Sequence, residues 1–110
     1  MNKDYIYIIS NDLGYIKVGV SKNPNRRVKQ LQTGNEHKLT LLFMEEFRCE
    51  RKHLLCIEKE IHKNLKQMAT KCVGEWFYLD TYKLDSIKNI ITFHRIRYED
   101  DTLAFNKKFR

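Results

Sequence analysis

No run of apolar residues in this chain is long enough to cross a bilayer, which excludes a helical integral membrane protein. The opening stretch MNKDYIYIIS carries only a short apolar segment of strand character, not the profile of a signal peptide. The expectation is therefore an intracellular, cytoplasmic protein. Cysteine is sparse and odd in number: Cys49, Cys56 and Cys72, with no C-x-x-C pair. That argues against a disulfide framework and fits a reducing compartment. Internal repeats, linkers and low-complexity stretches are absent. With 110 residues the chain is ordinary for one domain and too short for two comfortable cores. Acidic residues are outnumbered, 14 against 21 basic, for a net charge of +7 and a pI near 9.4. Such an excess on a small surface attracts polyanions, nucleic acid first among them. The plainer alternative is a small basic protein that is merely soluble. The usage of Lys, Asn and Ile points to an AT-rich genome, such as that of a phage or virus.

Hydrophobic residues make up 42% of the chain, enough for a real core, and charged residues 32%. Tyr5 to Ser10 reads as a strand, with Tyr5, Tyr7 and Ile9 on one face and Ile6 and Ile8 on the other. Asn11-Asp12-Leu13-Gly14 is turn chemistry. Tyr15 to Val20 follows as the second arm of a hairpin. Ile16, Val18 and Val20 share its apolar face; Tyr15, Lys17 and Gly19 share the other. Asn23-Pro24 starts a helix, with Asn as cap and Pro at the first position, and Gly34 ends it. Pro24, Val28 and Leu31 form its buried strip; Arg27 flanks the strip and Arg26 points away. Leu39 to Phe47 is a third strand. Glu50 to Met68 is a longer helix with Leu54, Ile57, Ile61, Leu65 and Met68 inward, Glu58 at the edge of that face and His62 one turn on. Val73 to Leu79 reads as a short extended segment, and Tyr82 to Phe93 as a last helix with Leu84, Ile87 and Ile91 inward. Residues 1–93 are expected to form one domain. From His94 the periodicity fades, and residues 94–110 read as a basic C-terminal tail ending Lys107-Lys108-Phe109-Arg110. The fold expected is α/β in the α+β sense: a small three-stranded, mainly antiparallel sheet flanked by helices.

Several short motifs sit on this framework in order. Tyr5-Ile6-Tyr7 is followed by Ile16-Lys17-Val18-Gly19, then Leu31 to Asn35, then Glu58 to His62, then Glu75-Trp76-Phe77. In this order they resemble the GIY-YIG nuclease superfamily over about residues 4 to 79. The nearer likeness is to a phage and bacterial subfamily with a Val/Ile-Lys-Val/Ile-Gly second motif and a Glu-Trp-Phe ending. The resemblance sets Tyr7 in the place of the first motif's tyrosine and Gly19 in that of the second motif's glycine. Arg27 falls where the superfamily carries its arginine, and Glu58 matches its acidic metal ligand. Lys17 stands where the second tyrosine would fall, as in some restriction-type members. Leu31 stands one turn after Arg27, where several active members place His or Tyr.

What the resemblance implies is a metal-dependent endonuclease hydrolysing phosphodiester bonds in DNA, with Mg²⁺ or another divalent ion such as Mn²⁺. Such hydrolysis needs an activated water and neutralised phosphoryl oxygens. Tyr7 would be the base. A free phenol ionises only near pH 10, and Lys17 on the same sheet face would favour the phenolate. Arg27 would fork two phosphate oxygens and Glu58 would hold one metal. Tyr5, Tyr15 and His62 would support the site, while Lys22, Arg26 and Lys29 would contact nucleic acid. Each residue has a plainer reading too. The three tyrosines can simply pack under a helix. Glu58 and His62 can be a solvated helix edge, with His62 hydrogen-bonded to Glu58. Trp76 and Phe77 can be core. A rival metal constellation places Cys49, His53 and Cys56 on one strip of the second helix, with Cys72 or His37 as a fourth zinc ligand. The rival function is a non-catalytic module of the same fold that binds nucleic acid or a protein partner. Without an appended DNA-binding domain the protein would cut with little selectivity, act as a homodimer, or not cut.

Overall fold

In the computed structural model, residues 3–108 are described, with side chains described through Tyr98. The elements run β1 (Asp4–Ser10), β2 (Tyr15–Ser21), α1 (Pro24–Gln32), β3 (Thr40–Phe47), α2 (Arg51–Met68), β4 (Lys71–Val73), β5 (Trp76–Tyr78) and α3 (Thr81–Lys108). The architecture is a small α+β fold with three helices on one antiparallel sheet.

That sheet has five strands, in the order β3-β1-β2-β5-β4, where three were expected. The two additional strands come from the segment read as merely extended. Gly74 takes φ +59°, which opens a two-residue turn between the paired residues Val73 and Trp76. Three-residue arms show too little alternation to be read as strands from sequence. The new hairpin then docks on β2 through Tyr15 with Tyr78 and Ile16 with Phe77.

Alternation makes the sheet apolar on both faces. Ile6, Ile8, Ile16, Val18 and Phe77 meet Leu54, Ile61 and Leu65 of α2 and Ile87 and Ile91 of α3 in the larger core. Tyr7, Ile9 and Leu39 face the other way and pack with Val28 and Leu31 of α1, Leu41 and Trp76. Trp76 and Phe77, adjacent in sequence, thus close opposite faces. The helix α3 does not stop at Phe93 but continues to Lys108. No Gly or Pro interrupts it, so nothing in the backbone ends the helix when its amphipathic pattern fades. Phe109 and Arg110, at the end of the expected basic tail, lie outside the described residues. Among the described residues no helix is long and apolar enough to cross a membrane.

Candidate functional site

The hairpin β1–β2 sets the floor of the site, and its register is fixed at the turn. Asn11 accepts hydrogen bonds at its Oδ1 from the amides of Leu13 and Tyr15, each 3.0 Å, and Gly14 takes φ +87°. The register that follows places Tyr7 directly opposite Gly19. This pairing has a steric meaning. A Cβ at Gly19 would lie 2.5 Å from the Tyr7 hydroxyl oxygen and 2.6 Å from its Cζ. The phenol therefore lies across β2 in the space a side chain would fill. Tyr7 is 2% exposed, yet it lines a cavity of about 510 Å³.

Three further elements supply the walls of that cavity. Asn23 caps α1 by accepting from the Arg26 amide at 3.1 Å, and Arg27, one residue on, lines the cavity. From α2 come Arg51, Glu58 and His62, which share one stripe because positions seven and four apart fall on the same helix face. From the turn of β4–β5 comes Glu75. Lys17 and Lys22 complete the polar lining. Four cations thus surround two carboxylates, a balance suited to an anionic ligand.

Two of the cations are engaged. Lys17 Nζ lies 3.1 Å from Glu75 Oε2. The sequence reading gave Lys17 to Tyr7, but among the described residues its hydrogen-bonding partner is Glu75. The turn that brings Glu75 in belongs to the hairpin that sequence did not reveal. Arg51 donates to Asp4 Oδ1 at 2.8 Å, tying the start of α2 to β1 around a carboxylate that is 1% exposed. Arg27 and Lys22 have no carboxylate partner among the described residues and remain available for phosphate.

The two carboxylates differ in state. Lys17, by hydrogen bond and by charge, pulls Glu75 below the ordinary carboxylate range. Burial pushes Glu58 above it, and Glu75 adds to the rise, while His62, Arg51 and Lys17 oppose it. No hydrogen bond or close ion pair reaches Glu58 from the described residues. His62 does not bond to Glu58, as one reading had it. Its Nε2 lies 2.9 Å from the Val18 carbonyl, which can only accept, so Nε2 carries a proton, and in the neutral ring Nδ1 is the acceptor. Phe77 packs edge-on against the same ring.

A half-buried carboxylate without a close counter-ion is a fitting ligand for a hard cation. Mg²⁺ needs only one or two protein carboxylates when water and phosphate oxygens complete its shell. An all-protein cage is not assembled: among the described residues no group of three His, Cys, Asp or Glu could hold a metal ion. The zinc constellation is dispersed accordingly. Cys49 is buried in the core, where burial raises its thiol pKa, whereas Cys56 and Cys72 are exposed.

The cavity brings together Tyr7, Lys17, Lys22, Arg27, Glu58 and His62. Tyr5, Tyr15, Arg26 and Lys29 do not line it. Tyr15 stacks edge-on with Tyr78 at 5.5 Å, and Arg26 and Lys29 are exposed on α1. Arg51 and Glu75 line it without having been singled out. For Arg51 a signal existed, its place on the stripe of Glu58 and His62. For Glu75 the signal was its place beside Trp76 in a motif already noted.

No curated protein and no solved structure matches the chain. One family model does, over residues 4–94, and it is the T5orf172 domain. This overturns the resemblance to the GIY-YIG superfamily, a different family, which rested on a few short motifs. A match along nearly the whole described chain outweighs them, and it makes this chain a member of the T5orf172 domain family.

Proposed function

We propose that the cavity beside Tyr7 is the active site of a metal-dependent endonuclease acting on DNA. The observation that carries this reading is the meeting of Tyr7, Arg27 and a Glu58 without a close counter-ion in one basic cavity. The family's association with nucleic-acid binding and the net charge of +7 agree with it. A phosphate enters between Arg27 and Lys22, and Arg27 forks two of its oxygens. Glu58 would hold Mg²⁺, which would supply positive charge to the phosphoryl oxygens. Tyr7, pinned over Gly19 and acting as the phenolate, receives the proton of the attacking water as the water oxygen bonds to phosphorus and the bond to the leaving sugar oxygen breaks, that oxygen taking its proton from solvent. His62, with Nε2 fixed on the Val18 carbonyl, offers Nδ1 as an acceptor to a water.

A second reading is a non-catalytic nucleic-acid-binding module. The Lys17–Glu75 pair favours it, because it occupies the one cation that could assist Tyr7 from the same sheet face. Incubation of supercoiled plasmid with the protein, with and without EDTA, separates the two. Nicking that needs a divalent ion and is lost in Tyr7→Phe, with DNA affinity kept, is the outcome expected of a nuclease. Binding without nicking in either condition, or a Tyr7→Phe variant that cuts at the parental rate, removes the catalytic role of Tyr7.

A further inference from the structure

Across Lys17 from the cavity lies a second one, of about 300 Å³ and different chemistry. Tyr15 and Trp76 wall it, and Leu13 and Val73 stand at its mouth, 57% and 64% exposed. Tyr15, Lys17 and Gly19 share one face of β2. Successive positions on one face of a strand lie about 7 Å apart, so the two cavities are neighbours along the same strand. The register of β2 with β5, Ile16 opposite Phe77, sets Trp76 beside Lys17 on that face.

The polar rim has a fixed orientation. Asn11 Oδ1 accepts from two backbone amides, and Asn35 Oδ1 accepts from the His37 amide at 2.9 Å. With both oxygens engaged, the side-chain nitrogens of Asn11 and Asn35 are left as donors at the rim, and His37, the other polar residue of the lining, is held through Nδ1 by Asp12 at 2.8 Å. Aromatic walls, an open apolar mouth and a rim of N–H donors match a flat ring with acceptors along its edge.

We propose that this second cavity takes an unstacked nucleobase from the strand whose phosphate sits in the first. The proposal rests on the nucleic-acid reading of the first cavity and adds the form of the substrate. A base inside a duplex is already stacked and must be extruded, whereas an unpaired one can enter directly. The preferred ligand is thus single-stranded or locally opened DNA, held by phosphate on one side of Lys17 and by a base on the other.

Trp76 is the sole tryptophan of the chain, so all tryptophan emission comes from the wall of this cavity, and the loss of a base at constant phosphate separates its response from that of the first cavity. The test titrates the unaltered protein, in EDTA, with an end-labelled single-stranded oligonucleotide, following the label's anisotropy and Trp76 emission together. The expected result is a change in emission that saturates with the anisotropy. In a series of oligonucleotides each lacking one base, a single abasic position should abolish the emission change and weaken binding roughly tenfold. Anisotropy that rises while emission stays flat overturns the base site and leaves the first cavity's reading standing. No rise in anisotropy with single-stranded or duplex DNA overturns that reading, and the base site with it.

Discussion

Replacing Gly19 with alanine adds one methyl group where the Tyr7 phenol lies. The new Cβ would sit 2.5 Å from the hydroxyl oxygen, 2.6 Å from Cζ and 3.0 Å from Cε1, where ordinary contact begins at 3.4 Å. The phenol oxygen must therefore retreat by about 0.9 Å, and the ring is not free to do so, since overpacked aromatic groups move only by shifting their neighbours. Val28, Leu31, Leu39 and Trp76 pack in the same cluster as Tyr7. Gly19 does not have a positive φ, so alanine brings no backbone strain of its own. The whole penalty falls on the ring, about 1–3 kcal/mol for overpacking. For a domain of this size that lowers the melting temperature by roughly 4 °C per kcal/mol. A displacement on the order of 1 Å at a reacting group costs about a hundredfold in rate. Thermal melts and single-turnover plasmid cleavage should show both losses, with DNA affinity changed less than about twofold, because Arg27 and Lys22 are untouched. A double-mutant cycle isolates the cause: with Tyr7→Ala in place the added methyl has nothing to strike, so its stability penalty should disappear. A Gly19→Ala variant that melts and cuts like the parent, or penalties that simply add in the double variant, would refute the packing of Tyr7 over Gly19.

Other consequences follow from the charges. Burial raises the Glu58 carboxyl, so the folded protein holds that proton more tightly than the unfolded chain does, and ionised Glu58 destabilises the fold. Glu58→Gln should then raise the melting temperature at neutral pH while abolishing metal-dependent cleavage. The gain should vanish as pH falls below the ordinary carboxylate range, where both states are protonated; an unchanged melt at neutral pH counts against a desolvated Glu58. DNA affinity should fall with salt at a log–log slope of about −0.9 per phosphate contact, and Arg27→Gln should reduce that slope by about one contact. A slope insensitive to Arg27 takes it out of the phosphate site. If Lys17 assists Tyr7, Lys17→Met should move the pH–rate profile of cleavage to higher pH, and Glu75→Gln, which frees the ammonium, should move it lower. Profiles that do not move in either variant leave Lys17 as a phosphate contact only.

How far the sequence could be read depended on whether a feature repeats locally. The β1–β2 hairpin alternates over seven residues per arm, so which side chains share a face was legible, Tyr7 with Lys17 and Gly19 included. The α1 boundary was legible because Asn23-Pro24 states it chemically, and the inward stripe of α2 because five apolar residues repeat at helical spacing. The β4–β5 hairpin was not, since three-residue arms carry no period and the turn depends on the φ of Gly74. Nor was the length of α3, whose later turns lack an apolar stripe but also lack any residue that breaks a helix. Motif order suggested the wrong family for a related reason: short patterns on a strand-turn-strand-helix frame are shared widely, whereas a match over residues 4–94 samples the whole core.

The partner of Lys17 shows where local reading ends and what the ion pair then means. Alternation fixed the face on which Lys17 projects, but a carboxylate from a distant turn decided what it touches. The two ends of that pair are unequal: the Lys17 side chain is 19% exposed and that of Glu75 66%. A pair with one end in solvent contributes at most about 1 kcal/mol, because water screens it and the exposed side chain loses entropy in holding its place. On the proposed function, a phosphate arriving between Arg27 and Lys22 would offer Lys17 an acceptor of the same single charge, placed among further cations of the cavity. Glu75, on an exposed two-residue turn, can yield without disturbing the core, and doing so leaves Trp76, its neighbour in sequence, beside the phosphate's own strand. On the proposed function the Lys17–Glu75 pair would be a placeholder for the ligand. The pair gives a lysine with a partly buried stem its counter-charge, and its weakness would let the same lysine serve a DNA phosphate.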